Sequence, residues 1–472
     1  MDVSPESLFN AIFAFIWLAY IWETYLCSRQ INVYKTATTV PAALEGILKT
    51  ETFEKARLYQ LDKSNFGIWS GIYSQVESSL ILLLGGMPWL WRVSGDCIIS
   101  LGFSPEYEIT QSVVFLFLAS IYSSISGLPW SIYSTFVIEQ RHGFNKQTPG
   151  FYAKDQIKKF VVSQAISAPL VACLIYIIKW GGEYFFIYVW LFIFFFTLAF
   201  ITVYADYIAP LFDKFTPLPE GELRSKIEEL AKSISFPLYK LYVVEGSKRS
   251  SHSNAYFYGF YKNKRIVLFD TLLEGYVPSS EENKQDAGEG NDEKDNTKEE
   301  KKLIEEEDTV EDKSEDKPRG KGCSNDEVLA VLAHELGHWK LSHNLKNFFI
   351  GQVNTFLCFF IFGLLMDMQI LYDAFGFYNI SPTIIGLLII FQFIFHPYNE
   401  LLGFCMTKLS RHFEFQADNF AKSLKRAEFL KSALVKLHVD NLGFPVDDWL
   451  YSSWHYSHPP LLERLKALGK TE

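Results

Sequence analysis

The sequence predicts an α-helical polytopic membrane protein with seven transmembrane helices and an α+β domain on its cytosolic side. Three observations predict it. Seven apolar runs each approach the length that crosses a bilayer. The loops between them alternate in Lys/Arg content, and the remaining stretches carry the helix and strand periodicities of a water-facing domain. Composition agrees: 49% of the 472 residues are hydrophobic and 17% aromatic, yet 21% are charged, so the two kinds of sequence must be segregated along the chain.

A spanning helix needs about 20 mostly apolar residues. Such runs lie near 9–27, 67–91, 112–133, 160–178, 184–205, 348–366 and 383–404, the second interrupted by Glu77. Loop 28–66 carries six Lys/Arg and loop 139–159 five. Loop 92–110 has only Arg92, loop 179–183 only Lys179, and loop 371–381 none. This alternation follows the positive-inside rule. It places the N-terminus in the lumen, with the 206–347 segment and the C-terminus in the cytosol. Asp2 and Glu6 precede the first run and no Ala-x-Ala site follows it, so it reads as a retained span. Glu77, Gln352, Asn354, Gln392, His396 and Glu400 fall inside the runs. Lipid would penalise them, so they should face the bundle interior or a wet cavity.

After the fifth run, "EGELRSKIEELAKSISF" puts Leu223, Ile227 and Leu230 on one helical stripe. "LYKLYVVEG" reads as a strand, and "NAYFYGFYKNKRIVLFD" as two strands joined near Lys262-Asn263-Lys264. From Glu281 to Lys317 there are 17 acidic and 7 basic residues, a net of −10 that equals the formal charge of the whole chain; the rest is balanced, 37 against 37. That run has almost nothing to bury and reads as a solvated, disordered linker. No basic face or basic–aromatic motif points to a nucleic-acid partner. The six cysteines are scattered without a CxxC, which argues against a disulfide framework or a Cys-bound metal. The expected division is therefore spans 1–5 with loops 28–66 and 139–159 in 1–205, a first α/β part in 206–280, the acidic linker in 281–323, a helix in 324–347, spans 6–7 in 348–404, and a C-terminal part in 405–472.

The helix at 324–347, "SNDEVLAVLAHELGHWKLSH", opens with Ser324 and Glu327 at capping-box spacing. Positions i and i+4 share a helix face. His334 and His338 can therefore point two imidazoles at one metal, with Glu335 beside them, and zinc suits imidazole ligands. The extended metzincin pattern needs Gly at 341 and His at 344, where this chain has Leu341 and Asn344. A third ligand must come from elsewhere. "RHFEFQAD" supplies Glu414 and Asp418 at i, i+4. Glu414 is the preferred ligand and Asp418 the carboxylate that orients a histidine, with Glu400 the rival. Glu335 would then serve as the base for hydrolysis at a metal-polarised carbonyl. A donor for the developing oxyanion is sought in "WHYSHPPLLERL", which offers His455, His458 and Arg464. His458 is the first choice, with Arg464 in support. His343, five residues beyond His338, would point elsewhere on a continuous helix and is read as a non-ligand.

These stretches, with "RLYQLDKSNFGIWSG", "SGLPWSIYSTFVIEQRHGFN", "YADYIAPLFDKFTPLPEG" and "VEGSKRSSHSNAYFYGF", resemble the type I CaaX prenyl endopeptidases almost end to end. The resemblance implies a zinc metalloprotease whose seven spans enclose a water-filled chamber. It implies removal of the last three residues of prenylated CaaX polypeptides, with a second upstream cut in substrates such as prelamin A or a-factor. It implies zinc ligation by His334, His338 and Glu414, Glu335 as base, and a substrate-holding role for Asn254 beside an added strand. It also implies residence in endoplasmic reticulum and inner nuclear membranes. Two other readings compete. A site-2-type intramembrane metalloprotease would hold HExxH inside a span, but Asp326, Glu327, Lys340, His343 and Lys346 flank the motif and no Leu-Asp-Gly follows. A transporter or receptor with a non-catalytic metal site would have no use for Glu335.

Overall fold

The computed structural model describes residues 4–104, 106–248, 250, 252, 254–259, 264–276 and 321–469. The expected acidic linker lies outside the described residues up to residue 320, as does the expected turn at Lys262 and Asn263.

Long helices build the first half: α1 (Pro5–Thr36), α2 (Thr50–Leu83), α3 (Gly86–Ser100), α4 (Glu108–Tyr133), α5 (Pro149–Trp180) and α6 (Phe185–Val203), followed by the short α7 (Ala209–Phe212). Local chemistry sets their starts. The Ser4 hydroxyl accepts from the Ser7 amide ahead of Pro5, and Thr148 caps Phe151 ahead of Pro149. α4 runs on through a π-helical stretch, Ser134–Glu139.

A four-stranded sheet follows: β1 (Phe215–Pro217), then α8 (Glu222–Ser233), β2 (Leu238–Val244), β3 (Ala255–Tyr258) and β4 (Lys264–Phe269). Its order is β1-β2-β4-β3, with β2 and β4 parallel and the other pairs antiparallel. β3 is therefore an edge strand. The C-terminal part comprises α9 (Asn325–Lys340), α10 (His343–Leu365), α11 (Gln369–Ala374), α12 (Thr383–Leu388), α13 (His396–Ser423), α14 (Ala427–Asp440), α15 (Trp449–His455) and α16 (Leu461–Gly469).

Among the described residues, five helices are long and apolar enough to cross a membrane: Pro5–Thr36, Glu108–Glu139, Pro149–Trp180, Gly182–Val203 and His343–Leu365. The segment from Thr383 to Ser423 gives a sixth if its two helices, bent by 58°, form one broken span. The apolar run at 67–91 is not one helix, because α2 ends at Leu83 and Gly85 takes a left-handed φ of 66°. The helix expected over 324–347 also breaks, since Ser342 adopts φ 59° and α10 begins one residue later. The expected capping box at Ser324 and Glu327 is present. Glu327 also accepts from Ser432 and Lys436 of α14, which anchors the start of α9 in the domain.

Two large cores result. In the bundle, Phe115, Ile175, Phe185, Phe362, Ile385 and Ile390 pack together. In the soluble part, Val328–Ala333 of α9 pack with Ile227 and Leu230 of α8, Val243, Ile266 and Leu268 of the sheet, and Leu430 of α14. Joining them is a seam of Tyr34, Leu44, Phe53, Val435, Phe444 and Leu461. There Arg29 of α1 grips Asp448 through two bonds of 3.0 and 2.8 Å, and Gln60 of α2 donates to the Leu442 carbonyl. The basic loops 28–66 and 139–159 thus lie at the same end of the bundle as the soluble domain.

Several polar groups inside the apolar runs find partners, although buried Gln352 leaves its Oε1 without a hydrogen bond among the described residues. Glu77 accepts from Tyr73, Tyr122 and Ser126. Asn354 accepts from Tyr398, and His396 sits 3.3 Å from Glu400.

Candidate metal centre

α9 and α13 cross closely because of Gly337, the glycine of the HELGH stretch. A methyl group there would meet the Ala417 Cα and the Phe420 Cβ, each at 3.1 Å. That approach brings Glu414 to the two histidines. Ligand atoms of His334, His338 and Glu414 lie within 4.8 Å of one another. The His334 and His338 Nε2 atoms are 3.3 Å apart, and each lies 3.3 Å from a Glu414 oxygen. These contacts do not satisfy the carboxylate: buried Glu414 Oε2 has no hydrogen-bond partner. Three donors converging on one point, one of them an orphaned buried oxygen, are what a tetrahedral cation site requires.

Surrounding groups fix the donors. Asp418 Oδ1 lies 2.8 Å from His334 Nδ1, which directs the His334 Nε2 lone pair to the centre. Asp418 is itself held by Arg464, whose Nε and Nη2 donate at 2.9 and 2.7 Å. Arg464, read from sequence as a support for His458, is thus seated on Asp418; its nearest approach to Glu414 is 3.8 Å. All of His334, Glu414, Asp418 and Arg464 are buried. Burial opposes a charge on His334, but the Asp418 and Glu414 carboxylates beside it prevail and push its pKa up to about 9. Burial likewise opposes the Glu414 charge, yet both histidines hold its carboxyl well below the usual carboxylate range. Glu335, one residue along α9, is pushed above the ordinary glutamate value by burial.

His458 reaches the same centre, with Nε2 3.3 Å from Glu414 Oε1. The Ser457 hydroxyl lies 3.1 Å from His458 Nδ1. Donation from that hydroxyl leaves the proton on Nε2, facing the centre. His455 turns away to Glu23 of α1 at 3.2 Å, and Glu400 stays with His396. Asn254 is exposed at the foot of β3, where its side chain accepts from the Ala255 amide and its carbonyl from the Phe269 amide. β3 packs against α9, so this edge strand lies beside the motif helix.

Sequence reasoning missed one close neighbour. His343 is fully buried against Phe413, with Nδ1 3.0 Å from His338 Nδ1. Its signal was hidden because continuous-helix spacing fails at Ser342.

A helical bundle of membrane character carrying an HExxH helix, a carboxylate from a second helix and an adjoining edge strand defines an integral-membrane metallopeptidase. Residues 30–214 match the family model described as CAAX prenyl protease N-terminal, five membrane helices, and residues 217–472 match peptidase family M48. The CAAX prenyl protease 1 homolog of Mus musculus is 62% identical over 465 residues, covering 98% of this chain and 96% of that protein; the Homo sapiens homolog shows the same figures. The crystal structure of S. mikatae Ste24p aligns with a TM-score of 0.80 at 34% identity, covering 98% of both chains. The chain belongs to peptidase family M48, in its CaaX prenyl protease branch, and is a metalloprotease of the CaaX-processing class. The family implies a metal cofactor, and the His-His-Glu group is where the donor chemistry fits one.

Proposed function

We propose that the chain is a zinc endopeptidase that removes the last three residues of prenylated CaaX polypeptides. Prelamin A-like and a-factor-like chains are the expected substrates, some cut a second time upstream. His334, His338 and Glu414 hold the metal. When bound there, zinc supplies Lewis acidity toward a peptide carbonyl and lowers the pKa of water toward about 7. Glu335, whose pKa burial raises above the ordinary glutamate value, takes the proton from the attacking water and delivers it to the departing amine. His458 donates its Nε2 proton to the developing oxyanion. Arg464 keeps Asp418 charged and in place, and Asp418 keeps His334 in the metal-binding tautomer. The substrate backbone adds to the β3 edge, with Asn254 at its start.

The membrane arrangement in this reading has seven spans, with the 67–91 run, led by the C-terminal half of α2, as the second and the 383–404 part of the bent segment as the seventh. The basic loops share the bundle end of the metal centre, which supports a lumenal N-terminus and a cytosolic or nucleoplasmic site. Tyr122 and Tyr73, which hold Glu77, are 50% and 40% exposed, and hydroxyls so exposed amid a bundle favour a wet interior chamber. The membranes are those of the endoplasmic reticulum and inner nucleus.

The observation that carries the reading is the convergence of His334, His338 and the orphaned Glu414 oxygen beside Glu335. Purified protein is expected to cleave a farnesylated CaaX peptide after the prenylated cysteine, to stop on chelation, and to recover with zinc. Cleavage that persists after the metal has been stripped and assayed as absent would rule it out.

A further inference from the structure

The two motif histidines are held by different devices. α9 stops at Lys340, where the Leu341 amide still bonds the Gly337 carbonyl. Had the helix continued, residue 343 would lie about 140° around the axis from residue 338. Instead the left-handed Ser342 turns the chain, and α10 opens with His343 underneath His338. Its ring stacks on Phe413 at 4.1 Å and 8°, next to the carboxylate of Glu414 in sequence. His343 Nδ1 lies 3.0 Å from His338 Nδ1, and His343 Nε2 lies 2.9 Å from Gln416 Oε1. The Gln416 amide nitrogen lies 3.1 Å from His412 Nε2.

With the Gln416 oxygen turned to His343, this chain of contacts sets one neutral distribution of protons. Gln416 turns its oxygen to His343, so His343 Nε2 carries a hydrogen and donates it. His343 Nδ1 is then a bare acceptor, and His338 Nδ1–H donates to it. His338 Nε2 is left with its lone pair facing His334 and Glu414. Reversing the Gln416 amide would reverse every bond and put a proton on the His338 nitrogen that faces the metal.

We propose that His343 is a positioning residue, an uncharged imidazole acceptor that fixes the ring and tautomer of His338 for metal binding. Asp418 does the same for His334 with a carboxylate, so the two ligands differ in the charge behind them. The inference rests on the metal site proposed above. It makes His338 the ligand whose hold depends on a neutral hydrogen bond, and it ties that hold to the break at Ser342.

The test uses the purified full chain and zinc affinity measured by competition with a chromogenic chelator. His343→Phe keeps the stack on Phe413 and removes the acceptor; zinc affinity should fall about 10- to 100-fold. His343→Asn sets an amide oxygen near the former Nδ1 and should recover most of that loss, which filling the space alone would not. Gln416→Leu leaves His343 in place but frees its tautomer, and should weaken zinc by a smaller factor. Wild-type affinity in His343→Phe, or no recovery in His343→Asn, overturns the proposal. His338→Ala separates the two levels: if it binds zinc as tightly as wild type, the metal site itself is misassigned.

Discussion

α9 and α6 are helices of similar length with opposite surroundings. Of the 16 residues of α9, 10 are buried, among them His334 and Glu327. Of the 19 in α6, nearly all apolar, only Phe185 and Val189 are buried. In water that would be backwards. A soluble helix hides its apolar face, whereas a helix in lipid can present Phe and Leu outward on every side and needs only internal backbone bonding. Hydropathy therefore reports which solvent a helix meets and says little about what it packs against. Burial in α9 has a different origin: sheet, α8, α13 and α14 surround it, so each polar group it carries must be paired or poised for a ligand.

Substitutions can break this contrast at several strengths. Glu414→Ala should act most strongly, abolishing both zinc retention and peptide cleavage; elemental analysis showing one zinc per chain in the variant would move the third ligand elsewhere. Glu335→Ala should keep its zinc and lose about 10³-fold or more in cleavage rate, and substantial turnover would remove Glu335 from the mechanism. Phe53→Ala, in the seam where α2 meets the soluble domain, should lower stability by about 3 kcal/mol in detergent, since it empties a fully buried position. Phe195→Ala on α6 is the matched control: at 63% exposure it should change stability by less than about 0.5 kcal/mol. Equal losses at the two phenylalanines would erase the distinction between the regions.

A pH effect of intermediate size is expected at the seam. Burial pushes the Asp447 carboxyl up to about 6, against an ordinary 3.8, although Tyr456 donates to it. A carboxyl raised in the folded state favours folding when protonated, and that contribution is lost as pH rises through about 6. Asp447→Asn should therefore melt above wild type at pH 8, with the gap closing toward pH 4. A gap that is constant with pH would assign the effect to something other than ionisation.

The candidate site was partly legible. HExxH displays its two histidines by helical periodicity, and Glu414 with Asp418 shows the same i, i+4 spacing, so local geometry alone paired each set. The seating of Arg464 on Asp418 was not legible, because the two lie 46 residues apart and only the packing of α16 on α13 brings them together. His343 was set aside because spacing arguments assume an unbroken helix, and a serine at φ 59° gives no reliable signal in sequence. The divided run at 67–91 has the same lesson, since the apolar pattern continues across the left-handed Gly85.

By itself, then, the sequence determined what depends on neighbours a few residues apart: apolar length, loop charge, capping, the strand alternation and the two ligand-bearing helices. Tertiary structure decided what depends on distance along the chain. It set Glu414 rather than Glu400 beside the two histidines, seated Arg464 on Asp418, and turned His455 to Glu23 and His458 to Glu414. The meeting of Glu414 with the histidines depends on how closely α9 and α13 approach, and Gly337 permits that approach because it has no Cβ to meet Ala417 and Phe420.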